Sequence, residues 1–518
     1  MSPPDVVSVI LGHAGDGGGR PAVRDTDEDL SYGDLADQVH RAAAGLADLG
    51  VAPGDRVALH LPNSVDFVVA ALACLWTGAV FVPLATTDPP ARLRLVLDDC
   101  APAVVVTSDR AGGGTGADPG PDARSWVTVS DLRRSMPGRV SPPRPPGGPA
   151  YAIYTSGTTG SPKGVLIGTP AFTAAVAATV DALGLDASTR TLCVSPFHFD
   201  GSFATLFPTL YAGGAVVIRP REALLFPRTF FRAVDQEAIT YTGFSPSYLK
   251  LLLSSPEKER LAPSTLVVAL GGEAASVADI RALWAVAPGV RVFNRYGPTE
   301  TTIAVTHVAV TPGSLAGGPV PLGRPHPGVT FHLVDSDGRL IDAADQVGEL
   351  YIGGSQLMEG YWGAPELTAR VLRDDVVPGV MLYRTGDLVY RTGAGEYVYV
   401  DRADRVIKRH GVRISLIELG EALGGLDGVS AAACVPYADG DRTGIVAYVV
   451  TDHPVEPLEL RRAAGRILPE TMLPDRIEPV GDLPLTRSGK LDEGLLLGRS
   501  GLYPVRTAGP QTVAAPPG

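Results

Sequence analysis

The stretch "YTSGTTGSPKG" (Tyr154–Gly164) contains only Tyr, Thr, Ser, Gly, Pro and Lys and has no large aliphatic side chain. The segments on either side, "AYAI" and "VLIG", are typical of short strands. Glycines allow backbone amides to converge on one point, the hydroxyls add hydrogen-bond donors, and Lys163 adds a positive charge. A plain surface turn needs only two or three such residues. The stretch therefore predicts a loop that binds phosphate oxygens.

The loop differs from three common phosphate-binding motifs. A Walker loop has Ser or Thr after its lysine, whereas the lysine of "SPKG" is followed by glycine. The dinucleotide fingerprint G-x-G-x-x-G is absent here, and the chain has neither the H-R-D nor the D-F-G signature of protein kinases. Other parts of the chain must indicate which phosphate compound is bound.

The composition is that of a globular protein large enough for two or more domains. The 518 residues are 45% hydrophobic and 19% charged, and the net charge of -12 argues against a nucleic-acid-binding surface as the main activity. The four cysteines lie far apart without a C-x-x-C pair, which disfavours a zinc site or a disulfide scaffold. We expect each of them to be a small buried apolar residue.

No targeting or membrane segment is predicted. The N-terminus "MSPPDVVSVILGHAGDGGG" has no basic region and no sufficient apolar run, so we expect no signal peptide. The apolar stretch from Phe67 to Ala85 is interrupted by Gly78 and Pro83, and it reads as a buried helix, a turn and a strand. We therefore expect a cytoplasmic protein.

Helical and strand patterns alternate through the first three hundred residues, which predicts α/β layers with parallel strands. A Gly/Pro-rich connector covers about residues 108–150, with one short element around "SWVTVSDLRR". The pattern then turns to strands and turns, and a small terminal unit begins near Asp401. After Gly498 the tail is predicted to be disordered.

Three further polar segments stand out from the apolar background. "NRYGPTE" (residues 294–300) offers an amide, an aromatic ring, a hydroxyl and a carboxylate, which suit a purine, a phosphate and a magnesium ion. "YRTGDL" (383–388) places a carboxylate at a turn, where it can accept hydrogen bonds from a ribose diol. "LTRSGKL" (485–491) presents one lysine. Each segment alone is as consistent with a solvated loop, but together with the phosphate loop they predict a nucleotide site.

With these segments in place, the chain resembles an amino-acid adenylation domain of the non-ribosomal peptide synthetase type, in the acyl-adenylate-forming superfamily. The resemblance spans about residues 25–495 and rests on motifs in a fixed order: "LSYGDL", "LWTGAVFVPL", "YAIYTSGTTGSPKG", "FHFDGS", "NRYGPTE", "GELYIGGSQLMEGYWG", "YRTGDL", "DRADRVIKRHGVRI", "LPETMLP" and "TRSGKL". So many motifs in one order make the resemblance very specific.

The resemblance implies a multidomain α/β fold. An N-terminal core over residues 1–400 would hold two α/β subdomains and a β-barrel-like one, and a small mobile α+β lid domain would cover 405–497. Residues 401–404, with Asp404, would form the hinge, and 498–518 the tail.

The resemblance also implies two half-reactions. An amino acid carboxylate attacks the α-phosphate of ATP, with Mg2+, to give aminoacyl-AMP and pyrophosphate. The phosphopantetheine thiol of a carrier protein then takes the aminoacyl group. The first step fits the residue types, because positioned cations and amides stabilise the charge on phosphorus, and the carboxylate nucleophile is already ionised at pH 7.

Roles carry over to matching positions of this chain. Lys490 would bridge the substrate carboxylate and the ribose-phosphate oxygens, Thr299 would contact the α-phosphate, Glu300 would hold magnesium, and His198 would lie beside the reacting carboxylate. The positions expected to bind the phosphates are Thr155, Ser156, Gly157, Thr158, Thr159 and Lys163; those for adenine and ribose are Asn294, Tyr296, Asp387, Tyr399 and Arg402.

The resemblance places the amino acid pocket around "FHFDGS". Asp200 matches the acid that amino-acid activators keep for the substrate ammonium, since a buried carboxylate without a partner is unfavourable; the alternative is an internal salt bridge. The other pocket positions are Gly201, Ala204, Gly243, Ala269, Gly271, Arg295, Ile303 and Ala304.

Arg295 is the unusual pocket residue. An arginine that faces the pocket favours an acidic or strongly hydrogen-bonding substrate side chain. Alternatively Arg295 turns away to pair with an acid such as Glu222, or partly fills the pocket. Both α- and β-amino acids remain open as substrates.

The chain departs from the family pattern mainly near its C-terminus. Val406, His410, Ser415, Ile417 and Thr471 replace a glutamine, an arginine, a glutamate, a glycine and a tyrosine, and "PLAT" replaces "PLD". These changes put the thiolation partner in doubt. No carrier-protein serine motif and no H-H-x-x-x-D-G motif is present. We therefore expect the chain to act alone and to load a separate carrier protein. The pattern leaves open whether an MbtH-like helper is needed.

Two other functions remain open. An acyl-CoA synthetase would use free CoA, and the acid at Asp200 argues against it. A non-catalytic adenylate-binding protein would not need Lys490, Glu300 and Asp387 together.

Overall fold

The computed structural model describes most of the chain. The described residues are 5–15, 18–108, 125–135, 147–155, 162–261, 266–315, 318–335, 337–402, 406–409, 412–440, 442–484 and 491–503. Three sheets form the region up to residue 402, and a smaller region of strands and helices follows.

The largest sheet has eight strands and a parallel centre. Its strands, in spatial order, are Thr306–Val310, Arg291–Tyr296, Val267–Leu270, Tyr241–Phe244, Arg190–Cys193, Ala215–Ile218, Pro21–Arg24 and Asp29–Ser31. Only the two outermost pairings are antiparallel. The central strands are short and apolar, as expected for strands that are covered on both faces. Ligands of such sheets bind beyond the carboxyl ends of the strands, where "FHFDGS" and "NRYGPTE" lie.

The second sheet has seven strands and carries the phosphate-loop hairpin. Its strands, in spatial order, are Gly360–Tyr361, Lys163–Gly168, Pro149–Thr155, Val80–Pro83, Arg56–His60, Val104–Thr107 and Ser125–Thr128. The last five strands pair in parallel, whereas the hairpin and Gly360–Tyr361 pair antiparallel. Six helices of the described residues share one buried core with strands of both large sheets: Val6–Gly12, Tyr32–Asp48, Val65–Thr77, Val129–Arg133, Thr169–Leu183 and Phe203–Tyr211.

The third sheet is antiparallel throughout. Its five strands are Val329–Val334, Val347–Gly354, Val380–Arg391, Leu372–Val377 and Tyr397–Arg402. Its apolar face packs in one cluster with Tyr296 from the end of a strand of the largest sheet. The third sheet therefore brings "YRTGDL" next to "NRYGPTE".

The C-terminal region has its own buried core. A hairpin of Val406–Arg409 and Val412–Ser415 precedes a three-stranded sheet of Val429–Asp439, Arg442–Thr451 and Arg476–Pro479. Helices Leu416–Gly424 and Pro457–Ala464 pack on this sheet, and Phe199 from the N-terminal region contacts the same core. The remaining α-helices in the described parts of the chain are Pro90–Cys100, Arg221–Leu224, Pro227–Gln236, Pro246–Leu253, Val277–Val286, Pro365–Val371 and Glu493–Arg499.

The predicted α/β fold class is confirmed. The apolar stretch that begins at Phe67 forms the helix Val65–Thr77 and the strand Val80–Pro83, joined by Gly78 in the left-handed conformation (φ 76°). The four cysteines are buried, as expected. Each helix in the described part of the chain is too short or too polar to cross a membrane.

Inside the Gly/Pro-rich connector, the short element predicted around "SWVTVSDLRR" is a strand and a capped helix, Ser125–Thr128 and Val129–Arg133. One boundary differs from the sequence prediction. The C-terminal tail was expected to start at residue 498, but the helix Glu493–Arg499 continues past it. Leu502 packs against a buried cluster, and the Tyr503 carbonyl accepts a hydrogen bond from Ala438 N. Apolar packing thus orders the chain to residue 503, and 504–518 lie outside the described residues.

Candidate active site

The phosphate-loop prediction falls partly outside the described residues. The flanking strands pair antiparallel, with Thr155 opposite Lys163 in the register. Thr155 Oγ1 is buried and has no hydrogen-bond partner among the residues that the structure describes. Ser156, Gly157, Thr158 and Thr159 lie in the segment that the structure does not describe. The hairpin therefore places the two ends of the predicted loop side by side.

Lys163 lies in a buried polar cluster with Glu300. Its Nζ is 3.3 Å from Glu300 Oε1 and 2.8 Å from the Tyr361 hydroxyl, and it also lies 4.2 Å from the centre of the Tyr361 ring. The Tyr361 hydroxyl donates a 2.8 Å hydrogen bond to Glu300 Oε1. The structure thus joins the end of the phosphate loop to the carboxylate predicted to hold magnesium.

Tyr361 is a site residue to which the sequence analysis gave no role. It lies in the quoted motif "GELYIGGSQLMEGYWG", and its short strand pairs with the strand that begins at Lys163. Its place in that motif was the sequence feature that could have indicated a role. The spacing of residues gives no indication that a tyrosine 61 positions after Glu300 contacts it.

Asp387 and Tyr296 form a second buried pair. The Tyr296 hydroxyl donates to Asp387 Oδ2 at 2.5 Å, and the side chain of Asp387 is enclosed. The backbone amide of Asp387 donates to Thr385 Oγ1 at 2.9 Å. Burial, followed by the charge of Asp387, raises the pKa of Tyr296 well above its ordinary value. Tyr296 therefore stays a protonated donor that orients the carboxylate.

The other predicted nucleotide residues lie around this pair. Asn294 Nδ2 donates to the Pro321 carbonyl at 2.7 Å, so its amide orientation is fixed by the protein. Tyr399 packs against the cluster that contains Tyr296. Arg402 lies opposite Asp387 in the strand register.

Asp200 lies near both Glu300 and the pocket residue Arg295. Its carboxyl group is partly buried, and the oxygen Oδ2 is enclosed and has no hydrogen-bond partner among the described residues. Burial raises the pKa of Asp200 to about 6; a hydrogen bond with Thr299 opposes that rise, the charge of Glu300 adds to it, and Arg295 opposes it. Asp200, Arg295, Thr299 and Glu300 are therefore brought together.

Arg295 turns into the predicted pocket and not toward Glu222. The residue is 8% exposed, and Nη2 donates to the Gly201 carbonyl at 3.2 Å, while Nη1 is buried and has no hydrogen-bond partner among the described residues. A Cβ atom at Gly271 would lie 2.3 Å from Arg295 Cγ, and one at Gly243 would lie 3.2 Å from Nη1. Gly271 is therefore needed for Arg295 to occupy this position, and Gly243 packs closely against Nη1 and, at 2.8 Å, against Thr205 Cγ2.

The remaining pocket positions lie near Arg295. Ala204 is buried and its carbonyl accepts a 2.9 Å hydrogen bond from the Tyr241 hydroxyl, and Ala269 is buried on the strand next to Arg295. Ile303 has φ 71°, an unfavourable conformation for a β-branched residue. Ala304 follows it and is buried.

Gln356 holds the strained segment that contains Ile303. Its Nε2 donates to the Ala304 carbonyl at 2.7 Å and to the Thr302 carbonyl at 3.3 Å, and its own carbonyl accepts from Thr302 Oγ1 at 2.7 Å. His326 lies 3.0 Å from Gln356 Oε1. Sequence reasoning missed Gln356, although it also lies in the "GELYIGGSQLMEGYWG" motif.

His198 is held as a neutral aromatic ring. Burial lowers its pKa to about 3, and the positive charges of Arg221 and Arg92 act in the same direction. Its ring centre lies 4.3 Å from that of Phe199. At neutral pH His198 therefore offers a ring face or a neutral nitrogen and no positive charge. Lys490 and Asp404 lie outside the described residues.

Glu300 can supply one protein ligand to a magnesium ion that a nucleotide brings. The described residues contain no group of three or more metal-ligating His, Cys, Asp or Glu residues. Glu300 supplies a single enclosed carboxylate. Mg2+ is often bound by one or two carboxylates together with substrate phosphates and water, so one glutamate suffices when ATP brings the other ligands.

Comparisons with known proteins identify the family of the chain. The model of the AMP-binding enzyme family matches residues 12–362, and the AMP-binding enzyme C-terminal domain matches residues 418–490. Novobiocin biosynthesis protein H of Streptomyces niveus is 32% identical over 491 residues, which are 91% of this chain and 79% of that protein.

A dimodular nonribosomal peptide synthase of Bacillus subtilis is 33% identical over 485 residues, 92% of this chain, and the chain spans about a fifth (20%) of its length. The solved structure of IdnL1 has a TM-score of 0.80 and 29% identity, covering 93% of this chain and 99% of IdnL1. The chain therefore belongs to the AMP-binding enzyme family, as an adenylation domain of the non-ribosomal peptide synthetase type.

Proposed function

We propose that the chain activates an amino acid, α or β, with ATP and Mg2+ to aminoacyl-AMP and pyrophosphate. It then transfers the aminoacyl group to the phosphopantetheine thiol of a separate carrier protein in natural-product biosynthesis. The observation that carries the proposal is Asp200 Oδ2, which is buried and has no hydrogen-bond partner among the described residues. This oxygen can accept a hydrogen bond from a substrate ammonium. The same carboxyl group lies next to Thr299 and Glu300.

In the first half-reaction, a substrate carboxylate oxygen attacks the α-phosphorus of ATP. A P–O bond forms there, the bond to the β-phosphate oxygen breaks, and pyrophosphate leaves with the electron pair. No proton moves, because the nucleophile is a carboxylate at pH 7. Positioned positive charge is therefore the main requirement for the transition state.

The cations and donors of the site have distinct proposed roles. Lys163, next to Glu300, would contact the phosphates as the pair opens for Mg·ATP. Mg2+, held by Glu300 and phosphate oxygens, would neutralise the charge that develops on them. Asp387, oriented by Tyr296, would accept the ribose hydroxyls. Lys490 would bridge the substrate carboxylate and the ribose-phosphate oxygens.

In the second half-reaction, a thiolate attacks the carbonyl carbon of aminoacyl-AMP. A thioester bond forms and AMP leaves with the electrons of the C–O bond, so the thiol proton is the one released. We place the reaction in the cytoplasm and leave open the need for an MbtH-like helper.

ATP–pyrophosphate exchange against a panel of α- and β-amino acids tests the first half-reaction. Amino-acid-dependent exchange that is lost with EDTA and restored by Mg2+ is the expected result. Absence of exchange with every acid would contradict the proposal and favour a non-catalytic adenylate-binding protein.

Thioester formation from one activated amino acid tests the acceptor. A holo carrier protein and free CoA are compared at equal thiol concentration. Faster loading of the carrier is expected, whereas preferential formation of a CoA thioester would assign the chain to the acyl-CoA synthetases.

A further inference from the structure

We infer that Arg295 binds a second carboxylate of the amino acid, so the substrate is an amino dicarboxylic acid. This inference rests on the proposed function and names the substrate class. It depends on two polar atoms of opposite charge in one pocket, Asp200 Oδ2 and Arg295 Nη1, which are both buried and unpartnered.

The guanidinium of Arg295 is held in place from several directions. The stem lies directly over Gly271, where a Cβ atom would come within 2.3 Å of Cγ and 2.6 Å of Nε. At the far end, Nη2 donates to the Gly201 carbonyl at 3.2 Å, next to Asp200 in the chain. The side chain is more than nine-tenths buried. Arg295 is therefore a fixed cation and not a surface residue folded back by chance.

The two glycines beside the guanidinium differ in how closely they are packed. A Cβ atom at Gly243 would lie 2.8 Å from Thr205 Cγ2 and 3.2 Å from Arg295 Nη1, so that side is filled, whereas one at Gly201 would meet only Nη2, at 3.9 Å. A ligand carboxylate would therefore approach the guanidinium from the Gly201 side, and contact with the enclosed Nη1 requires a small shift of the guanidinium.

Arg295 forms no ion pair of 4 Å or less with an acid in the described parts of the chain. Burial lowers the pKa of Arg295, and the charges of Tyr241 and Asp200 oppose this from a longer distance. The histidine opposite it in the strand register, His307, stays neutral because burial lowers its pKa well below the ordinary value, and the charges of His326 and Arg295 add to this. A buried cation without an anion is unfavourable, and a ligand carboxylate would remove that penalty.

An amino dicarboxylic acid matches the charges of this pocket one for one. Its ammonium would pair with Asp200, its second carboxylate with Arg295, and its first carboxylate would stay free to attack ATP. An apolar side chain would leave Nη1 without a partner, and sites built to hydrogen-bond a substrate group reject analogues that lack it. An amide side chain offers one carbonyl acceptor but no charge, so it would bind more weakly than the acid.

A different role for Arg295 predicts the opposite selectivity. If Arg295 only fills space, the enzyme would take small neutral amino acids, and shortening Arg295 would extend the range to larger neutral ones. The acid and its own amide have nearly the same shape, so comparing them separates charge recognition from pocket size.

The test is ATP–pyrophosphate exchange with matched pairs: aspartate with asparagine, glutamate with glutamine, and β-amino acids with and without a second carboxylate. For the wild type, kcat/KM is expected to be at least 100-fold higher for the best dicarboxylic acid than for its amide. Arg295→Gln should reduce this ratio to below 5-fold, and Arg295→Lys should give an intermediate value. Arg291→Gln, on the exposed start of the same strand, should leave the ratio unchanged.

Two results would overturn the inference: a wild-type preference for neutral amino acids, or an unchanged acid-to-amide ratio in both Arg295 variants. Complete absence of exchange with every acid would instead contradict the proposed function. In that case calorimetry still tests whether Arg295 binds a carboxylate. The wild type and Arg295→Gln are each titrated with aspartate and with glutamate in the presence of ATP. If the wild type binds one of these acids and Arg295→Gln does not, the result supports a carboxylate site at Arg295. If the two proteins bind equally, or neither binds, the site is rejected.

Discussion

Lys163 and Glu300 form an enclosed ion pair, with 3.3 Å between Nζ and Oε1 and side chains only 10% and 1% exposed. The pair joins the phosphate-loop hairpin to the turn that follows the strand Arg291–Tyr296. Breaking such a pair by removing one partner is strongly destabilising, because the other charge stays buried. Both residues are therefore held in position before a nucleotide binds.

Replacement of the Glu300 carboxylate should affect both catalysis and stability. Glu300→Gln is expected to lower kcat/KM for ATP–pyrophosphate exchange at least 100-fold and to raise the Mg2+ concentration for half-maximal rate, because the proposed metal ligand loses its charge. Urea unfolding should show a loss of about 3 kcal/mol. The control Glu349→Gln removes a more exposed pair with Arg384 and should change stability by less than about 1 kcal/mol. Normal Mg2+ dependence in Glu300→Gln would reject Glu300 as the metal ligand.

The Tyr296 hydroxyl should contribute to ATP binding through Asp387. Tyr296→Phe keeps the ring but removes the 2.5 Å hydrogen bond, so a buried carboxylate loses a donor. We expect KM for ATP to rise about tenfold, equivalent to the roughly 1.5–3 kcal/mol of a hydrogen bond to a charged group. The matched control is Tyr397→Phe, since that hydroxyl reaches the Phe331 carbonyl only at 3.5 Å. Equal KM values for the two variants would contradict the orienting role.

The sequence was sufficient to predict the α/β layers and the nucleotide-binding motifs. It was not sufficient to predict which residues of different motifs contact one another. "NRYGPTE" and "YRTGDL" indicated a purine and ribose site because their residue types are specific and local. That Tyr296 hydrogen-bonds Asp387, 91 positions later, depends on how the third sheet packs on the largest one. Tyr361 was missed for the same reason. The direction of Arg295 stayed open because glycines at 243 and 271 permit its position without requiring it.

Gln356 should determine how well the pocket wall is formed. Gln356→Met keeps a similar volume but removes the donor to the Ala304 carbonyl, whereas the Thr302 carbonyl keeps its 2.8 Å hydrogen bond from Ala304 N. An unsatisfied buried carbonyl costs about 1–3 kcal/mol, so the free energy of unfolding should fall by about 2 kcal/mol. Because Ile303 lies between these residues at φ 71°, KM for the amino acid should rise more than KM for ATP. The control Gln236→Met changes an exposed residue at a helix end. An equal effect on both KM values would mean that Gln356 acts on overall stability only.

Asp200 should make amino acid activation sensitive to pH. Its pKa of about 6 means that the carboxylate needed for the substrate ammonium is lost as pH falls through 6. For the wild type, kcat/KM for the amino acid should therefore fall about tenfold per pH unit below 6, and Asp200→Asn should be at least 100-fold less active at pH 8. A profile that is flat between pH 5 and 8 would reject Asp200 as the titrating acceptor.

The same shift predicts a gain of stability in the inactive variant. A raised carboxyl pKa means that the folded state disfavours the charged form. The penalty is absent below about pH 4, grows between 4 and 6, and is complete above 6. Asp200→Asn removes it, so at pH 8 the variant should be about 2–3 kcal/mol more stable to urea than the wild type, and at pH 4 the two should be equal. Asp48→Asn, at an exposed helix end, is the control and should be neutral at both pH values. A loss of stability in Asp200→Asn at pH 8 would show that the carboxylate is satisfied within the protein and does not await a substrate cation.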